Sequence, residues 1–336
     1  MKKNYYWSIL LMSIIFFLSI VSCATMNEVP EKDLIIKNGV LTKYSGRQRN
    51  IIIPDNLGIT AIGDWAFKDS KIISIKIPQG VTSINYAAFS GCEKLKKIDL
   101  PNSLVTINQA FGSCISLASI KLPSSVRNIG PMLFWPHDII IEVDEGNNKY
   151  ATIDGILFNK EFTSILHYPS IKKDKEYSIP DSVRIIGEYA FRAAPLRVIK
   201  IPNGVEVIEY SAFSATLITS IEFPKTIKSI SSSAFSQCEN ITSLKFPEGT
   251  MTKVDYQAFF NCFNLRRVDL PLSVKVIEKR AFYDCRNLQV VTFAGDAIYE
   301  ILNLFVNAYG ENIGYKYKIS WENVPDDVQR IIFTRW

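Results

Sequence analysis

Residues 75–97 read IKIPQGVTSINYAAFSGCEKLKK, and this stretch decides the fold because variants of it recur along the chain. Related segments begin at Ile98 (IDLPNSLVTINQAFGSCISLAS), Ile221 (IEFPKTIKSISSSAFSQCENITS) and Val268 (VDLPLSVKVIEKRAFYDCRNLQV). Each reads apolar-x-apolar-Pro, then two aliphatic residues three positions apart, then Ala-Phe and often Cys. Similarity at a fixed period is the signature of a repeat architecture.

One proline and one phenylalanine mark each repeat. Successive marker prolines are 22 to 24 residues apart, except for a gap of 57 residues between Pro123 and Pro180. Alanine precedes the phenylalanine in eight of the nine repeats, and Leu133 takes its place in the other. The prolines are Pro54, Pro78, Pro101, Pro123, Pro180, Pro202, Pro224, Pro247 and Pro271, and the phenylalanines are Phe67, Phe89, Phe111, Phe134, Phe191, Phe213, Phe235, Phe259 and Phe282.

This period lies within the range of leucine-rich repeats, about 20 to 29 residues. Leu95-x-x-Ile98-x-Leu100 is the spacing of a short strand that turns alternate side chains inward. Proline cannot donate to a strand ladder, so it ends the strand, and a second aliphatic cluster returns the chain on the opposite side of the coil. The sequence therefore predicts a mainly β solenoid of about nine to ten coils of 22–24 residues.

The IxLPxxVxxIxxxAFxxC pattern resembles that of the BspA-like, or treponemal-type, leucine-rich-repeat proteins of bacterial surfaces. The resemblance covers roughly residues 34–293. It implies a curved β-solenoid with strands along one face. It also implies a surface protein that acts in adhesion or host interaction by binding another protein.

The N-terminus reads as a secretory signal. Lys2 and Lys3 precede an apolar run over 7–21, and Ser22 stands directly before Cys23, as in the lipobox of bacterial lipoproteins. The alternatives are an ordinary signal peptide with a chance cysteine and a transmembrane anchor, for which the run is short. We expect lipidation at Cys23 and a protein held on a membrane, at the outer membrane or cell surface or on the periplasmic face.

The 336 residues carry a net charge of +5, 47% apolar residues and two histidines. The apolar content excludes a disordered chain, and so small a positive excess gives no support to nucleic-acid binding. The sequence contains no G-x-S-x-G, P-loop, H-E-x-x-H or dinucleotide-binding motif. We therefore expect no enzyme, no catalytic residues and no cofactor. The alternative is an enzyme whose site lies at the insertion in the long gap between repeats and uses His137, His167 or Asp154.

Five cysteines stand three residues after a repeat phenylalanine, where other repeats have Ser70, Ala194 or Thr216. The slot therefore favours a small buried side chain over a disulfide or metal ligand, since no CxxC spacing exists. No metal is expected. These cysteines are Cys92, Cys114, Cys238, Cys262 and Cys285.

The long gap contains an insertion over 143–177. Asp154-Gly155 predicts a turn, 156–158 a strand, 159–161 a second turn and 165–168 a return strand. We favour a structural splice between two repeat blocks over a protruding contact site, because the insertion is rich in aliphatic residues. The acidic run 144–148 lacks the alternating oxygen ligands of an EF loop and is interpreted as a solvated turn.

The ends of a solenoid need caps. Asn38-Gly39 predicts an N-terminal hairpin within 34–44. At the other end 296–309 predicts a helix and 315–319 a strand, and 321–336 completes the cap. The resulting division is a signal peptide, a lipidated tether, the N-terminal cap with the first repeat block, a strand with the hairpin island, the second block and the C-terminal cap. Its boundaries are 1–22, 23–33, 34–134, 135–176, 177–293 and 294–336.

The candidate binding residues point outward from the predicted strands in two columns. Opposite charges alternate along them, which suits recognition of a protein more than of a phosphate backbone. The alternative function is a periplasmic scaffolding lipoprotein without a host ligand. The first column is Lys76, Asp99, Lys121, Lys200, Glu222, Lys245, Asp269 and Thr292, and the second is Ser74, Lys97, Ser119, Ser220, Ser243 and Arg267.

Overall fold

The computed structural model describes residues 26–131, 139–271, 273–278, 280–294, 317–323 and 328–335. Their regular structure is almost wholly β: 27 strands and two single-turn 3₁₀ helices, Glu31–Asp33 and Asp55–Leu57, with no α-helix in these ranges. The strands wind into a β-solenoid of about 12 turns. The predicted fold class is confirmed.

Nearly every turn contributes one strand to the side that we call the strand face; the segment around Ile221 makes only an isolated bridge there. Within each of four sheets, these strands pair in parallel with the equivalent strand of the next turn. They are β1 (Asn27–Glu28), β4 (Asn50–Ile52), β6 (Ser74–Lys76), β8 (Lys97–Asp99), β10 (Ser119–Leu122), β12 (Ile140–Val143), β16 (Glu176–Ser178), β18 (Val198–Lys200), β21 (Ser243–Lys245), β23 (Arg267–Leu270) and β25 (Val290–Ala294).

The opposite side, the return side, consists mainly of two-residue strands that also pair in parallel. A hairpin begins this side, and three longer strands interrupt it. The strands are β2 (Leu34–Lys37), β3 (Val40–Tyr44), β5 (Ala61–Ile62), β7 (Ser83–Ile84), β9 (Thr106–Ile107), β11 (Asn128–Ile129), β13 (Tyr150–Ile153), β14 (Ile156–Asn159), β15 (Ser164–His167), β17 (Ile185–Ile186), β19 (Val207–Ile208), β20 (Ser229–Ile230), β22 (Lys253–Val254) and β24 (Val276–Ile277).

The turn count exceeds the nine to ten coils that the marker prolines predict. Nine of the turns carry a marker proline directly after the strand-face segment. Two further strands, β12 and β25, extend the strand face without one, whereas β1 is followed by Pro30 in the register of Pro54. Stacking on a neighbouring turn therefore admits coils whose own sequence lacks the marker.

The proline ends each strand and begins a tight turn. The carbonyl of Pro101 accepts a hydrogen bond from the amide of Leu104 at 3.1 Å, and that of Pro180 accepts one from Val183 at 3.0 Å. The next corner needs two residues in the left-handed backbone region, two positions before and two positions after the phenylalanine. Those before it are Trp65, Ala87, Tyr189, Ser211, Ser233, Gln257 and Arg280; those after it are Asp69, Gly91, Ser113, Ala193, Ala215, Gln237, Asn261 and Asp284.

The repeat phenylalanines form two buried columns in the solenoid interior. Adjacent rings stack with centroids 4.9 to 5.4 Å apart and planes within 11° of parallel. The amide of each bonds to the alanine carbonyl of the next turn, as in Phe213 to Ala234 at 2.8 Å. Tyr44 and Tyr168 take the phenylalanine position at the start of each column, bonding to Ala66 and Ala190.

The insertion joins the two repeat blocks. β13, β14 and β15 form an antiparallel sheet whose last strand pairs in parallel with β17. The first three residues of β14 are buried. Leu157 packs with the first block, whereas Ile156 and Phe158 pack with the second. This arrangement is that of a splice, with side chains of one strand serving both cores.

Antiparallel strands also stand at the chain ends. β2 and β3 form the hairpin around Asn38 and Gly39, whose φ angles of 50° and 75° are those of the predicted turn. At the other end β26 (Tyr317–Asn323) pairs antiparallel with β27 (Val328–Arg335), which pairs antiparallel with β25. The predicted helix over 296–309 lies outside the described residues, as do Phe134 and His137.

Candidate binding surface on the strand face

The register of the strand face puts the candidate side chains side by side. In the three-residue strands β4, β6, β8, β18 and β21 the central residue is buried and its two neighbours point outward, as in β6, where Ile75 lies between Ser74 and Lys76. Parallel pairing sets Ser74 beside Lys97 and Lys76 beside Asp99. The second block pairs Ser243 with Arg267 and Lys245 with Asp269 in the same way. Here the structure places the candidate residues next to one another, as the repeat period predicts.

The columns do not run unbroken. The strand-face strands of the described residues group into four sheets, β1-β4-β6-β8, β10-β12, β16-β18 and β21-β23-β25. Ser220 and Glu222 lie in no strand, and Glu222 makes only an isolated bridge to Lys245. The insertion separates Lys121 from Lys200. The face is therefore a series of separate patches on a common frame.

Thr292 does not belong to the outward column. Its side chain is buried, and its hydroxyl donates a hydrogen bond to the carboxylate of Asp269. Outward residues that the columns omit are Asn50, Ile52, Ile140, Glu142, Glu176 and Ser178. The residues before Pro54 and Pro180 have the same register as the others, so the sequence held the signal for four of these six. β12 has no marker proline, so that signal did not identify Ile140 and Glu142 as outward residues.

Several charges on this face neutralise one another within a strand. Lys97 and Asp99 form an ion pair at 3.1 Å, and the Arg267 guanidinium contacts both carboxylate oxygens of Asp269 at 2.9 Å. The side-chain bond to Asp269 raises the pKa of Arg267. Lys121 lies 3.9 Å from Asp144, in the turn after β12. These pairs remove net charge from the surface while retaining directed donors and acceptors.

Three lysines keep an exposed ammonium with no ion pair among the described residues: Lys76, Lys200 and Lys245. Each occupies the last position of its strand, and so each projects from the same line of the solenoid. An ammonium without a partner makes a hydrogen bond or ion pair to a ligand without first breaking one. These lysines are therefore the cations that a binding partner meets most directly.

The five repeat cysteines are buried and form no disulfide among the described residues. Each thiol donates to the carbonyl of a phenylalanine in the preceding turn, as Cys114 does to Phe89 at 3.2 Å and Cys238 to Phe213 at 3.1 Å. Burial raises the pKa of Cys114 to about 12, and it raises the pKa of Cys92, Cys238 and Cys262 as well. The slot thus accepts a small side chain, Ala194 included, and a cysteine there adds one weak hydrogen bond, a role that spacing alone did not reveal.

The turn over 144–148 is organised by Asn147, which is 1% exposed. Its amide nitrogen donates to the carbonyls of Pro123 and Val126, and its oxygen accepts from the amides of Lys149 and Tyr150, at 2.9 to 3.0 Å. Within the described ranges no three His, Cys, Asp or Glu side chains gather as metal ligands. His167 lies half-buried in β15, and Asp154 lies in the exposed turn after β13.

A comparison of the chain with known proteins identifies its family. A sequence profile described as BspA type Leucine rich repeat region matches residues 30–165 and 168–294 in six copies. The chain therefore belongs to the BspA-type leucine-rich-repeat family. No curated protein sequence matches the chain.

Solved structures of bacterial leucine-rich-repeat proteins share the fold. The pneumococcal vaccine antigen PcpA superposes with a TM-score of 0.66 at 23% identity, covering 82% of this chain and 77% of PcpA. A leucine-rich cell surface protein of Faecalibacterium prausnitzii gives 0.58 at 23% identity, over 86% and 91%. A leucine-rich-repeat protein of Eubacterium ventriosum gives 0.59 at 24%, over 80% and 78%. At these identities the likeness establishes the fold alone.

Cys23 and the apolar run before it lie outside the described residues. Among the residues that are described, no helix has the length and apolar character to cross a bilayer. Lipidation at Cys23 therefore stays a prediction.

Proposed function

We propose that this protein is a non-enzymatic, lipid-anchored protein of a bacterial cell envelope. Its strand face binds a macromolecular partner, a protein of the host matrix or of another cell's surface. The observation that carries the proposal is the outward row of unpaired lysines, Lys76, Lys200 and Lys245, set between self-neutralised charge pairs on a frame of parallel strands.

The proposal follows from how such a frame presents side chains. Each lysine lies on a strand whose backbone is bonded within the solenoid, so the backbone has little conformational freedom left to lose on binding. Cations and anions in fixed register favour a partner of complementary charge and disfavour others. The family and its solved relatives, one of them described as a cell surface protein, support the same role.

The binding test is affinity capture with the purified protein against fractionated host-matrix and envelope proteins. A captured protein then serves as the probe for titration. Lys76→Glu combined with Lys245→Glu weakens binding at least about tenfold, because each change replaces an attractive contact with a repulsive one. Lys94→Glu is the matched control, since this exposed lysine lies in the turn after Cys92 and outside the strand face. Equal loss in both variants overturns the assignment of the face.

Location is tested by adding protease to intact cells. Digestion of the protein on intact cells supports surface adhesion. Full protection, lost when the outer membrane is permeabilised, supports instead the periplasmic scaffold that has no host ligand. The two functions are thereby separated without knowledge of the partner.

The anchor is tested by metabolic labelling with a fatty acid. The native chain incorporates label, and Cys23→Ser does not, because the thiol that carries the diacylglycerol is gone. Continued labelling of Cys23→Ser refutes the lipid anchor but leaves the strand-face proposal standing.

A further inference from the structure

A groove of about 490 Å³ lies away from the strand face, at the corner where the first repeat block leaves its return-side strands. Four successive turns contribute to it, each with the residues directly after a two-residue strand. The side chains that matter are Asp64, Asn85, Tyr86, Asn108 and Gln109. Nothing in the strand-face function uses them.

An exposed aromatic corner stands at this groove. Tyr86 is 49% exposed and Trp65 44%. Their rings meet at 83° with centroids 5.5 Å apart, and the Lys68 ammonium lies 4.8 Å from the centre of the Trp65 ring. These contacts fix the orientation of the Trp65 indole. The indole packs against the Tyr86 ring, which lines the groove. A large aromatic surface kept open to solvent in a fixed orientation is typical of a binding site.

The polar side chains around Tyr86 are available to a ligand. Within the described residues, Asp64, Asn85, Asn108 and Gln109 make no side-chain hydrogen bond or ion pair. Their backbones are committed to the solenoid, since the amides of Asn85 and Asn108 bond at 2.9 Å to Ile62 and Ile84. The groove thus offers amide donors and acceptors with one carboxylate, all on side chains.

The equivalent corners of the second block satisfy themselves. There the Glu209 carboxylate accepts from the Glu188 amide at 3.0 Å. Further along, the Lys253 ammonium is held by Asp255 at 2.8 Å and Glu278 at 3.0 Å. The second block therefore pairs polar side chains at these corners, although Tyr210 stays exposed there, whereas the first block leaves its polar side chains available.

From this we propose that the groove around Tyr86 binds a neutral oligosaccharide. The C–H face of a sugar ring stacks on the electron-rich face of the Tyr86 ring. Its hydroxyls, which both donate and accept, match the amides of Asn85, Asn108 and Gln109. Among the described residues that line the groove, Asp64 is the only charged one and none is a cation, so phosphate and acidic sugars are disfavoured. A peptide that adds a strand needs backbone partners, and the amides of Asn85 and Asn108 are already bonded to the preceding turns.

The test is a glycan array probed with the purified protein, followed by calorimetric titration with the best neutral oligosaccharide. Tyr86→Ala lowers the affinity at least about tenfold, and Tyr86→Phe, which keeps the ring, lowers it little. Asn108→Ala lowers it several-fold by removing one donor and one acceptor. Tyr210→Ala is the matched control, because this exposed tyrosine pairs with Tyr189 at the corresponding corner of the second block and leaves the affinity unchanged.

Four results overturn the proposal: no neutral oligosaccharide on the array, only acidic ones, a hit that Tyr86→Ala leaves unchanged, or a hit that Tyr210→Ala weakens equally. Binding of a proline-rich peptide that Tyr86→Ala abolishes assigns the groove to a peptide instead and also overturns it. The variant with Lys76→Glu and Lys245→Glu keeps saccharide binding, so the groove and the strand face fail independently.

Discussion

The interior aromatic columns and the strand face obey the same repeat, yet they differ in regularity. Inside, ring spacing varies only from 4.9 to 5.4 Å over both columns. Outside, the strand face is divided into four sheets, and some charges are paired where others are free. The interior tolerates little variation because each turn packs against its neighbours. The outward positions carry no such constraint, and the proposed recognition of a partner is assigned to them.

The largest effect that distinguishes the two regions is expected in the interior. Phe213 stacks between Phe191 and Phe235 at 5.0 Å on both sides and is fully buried. Phe213→Ala therefore lowers the free energy of unfolding by about 3–5 kcal/mol, measured by urea denaturation. Lys200→Ala on the strand face changes it by less than about 0.5 kcal/mol. Similar losses of unfolding free energy in the two variants contradict this difference between the interior and the strand face.

A polar interior position follows. Asn147→Ala leaves the amides of Lys149 and Tyr150 without their side-chain acceptor in a buried turn and removes one of the donors to the carbonyls of Pro123 and Val126, so the free energy of unfolding falls by about 2 kcal/mol. The neighbouring Asn148 is exposed, and Asn148→Ala serves as the control with little change. A loss in Asn148→Ala equal to that in Asn147→Ala shows that the turn depends on solvent-exposed contacts instead.

The buried thiols predict a dependence on alkaline pH. In the unfolded chain a cysteine ionises near pH 8.5, whereas burial raises the pKa of Cys114 to about 12 in the folded protein. The unfolded state therefore loses its proton first, and stability falls as pH rises above about 8.5, by at most about 1.4 kcal/mol per pH unit for each thiol. Cys114→Ala shows a shallower fall between pH 8.5 and 10.5 in denaturation series. Identical slopes contradict a buried, reduced Cys114.

The smallest effect concerns backbone strain at the corners. Ala193 is exposed with a φ of 56°, where a side chain raises the energy of the backbone and glycine does not. Ala193→Gly raises the melting temperature, with a gain of about 0.5–1 kcal/mol. Ala194, the next residue, is buried and outside the left-handed region, and Ala194→Gly lowers stability by about 1 kcal/mol. Changes of the same sign in both variants refute the strain argument.

The repeat pattern predicted most of the fold because the fold consists of contacts between equivalent positions. Prolines, phenylalanines and cysteines fixed the period, the strand positions and the buried columns. The sequence did not indicate Tyr44 and Tyr168 as members of those columns, because Ala-Phe was the marker and neither tyrosine follows an alanine.

The candidate surfaces were harder to predict than the core. Outward orientation of Lys76 or Lys245 follows from strand alternation. Their lack of an ion pair depends on side-chain positions that no repeat period contains. The same holds for Asn147, whose four hydrogen bonds come from residues up to 24 positions away, and for Tyr86, whose partners come from neighbouring turns.

The left-handed corner positions imply a rule of composition that the repeat consensus does not display. The side chains found there range from Ala and Ser to Arg and Trp, yet among the described residues none is Val, Ile or Thr. Branching at Cβ makes this backbone region especially unfavourable. Two positions in each turn are thus open to nearly any chemistry but closed to one shape of side chain. Surface variation in this solenoid is free in charge and size while remaining restricted in stereochemistry.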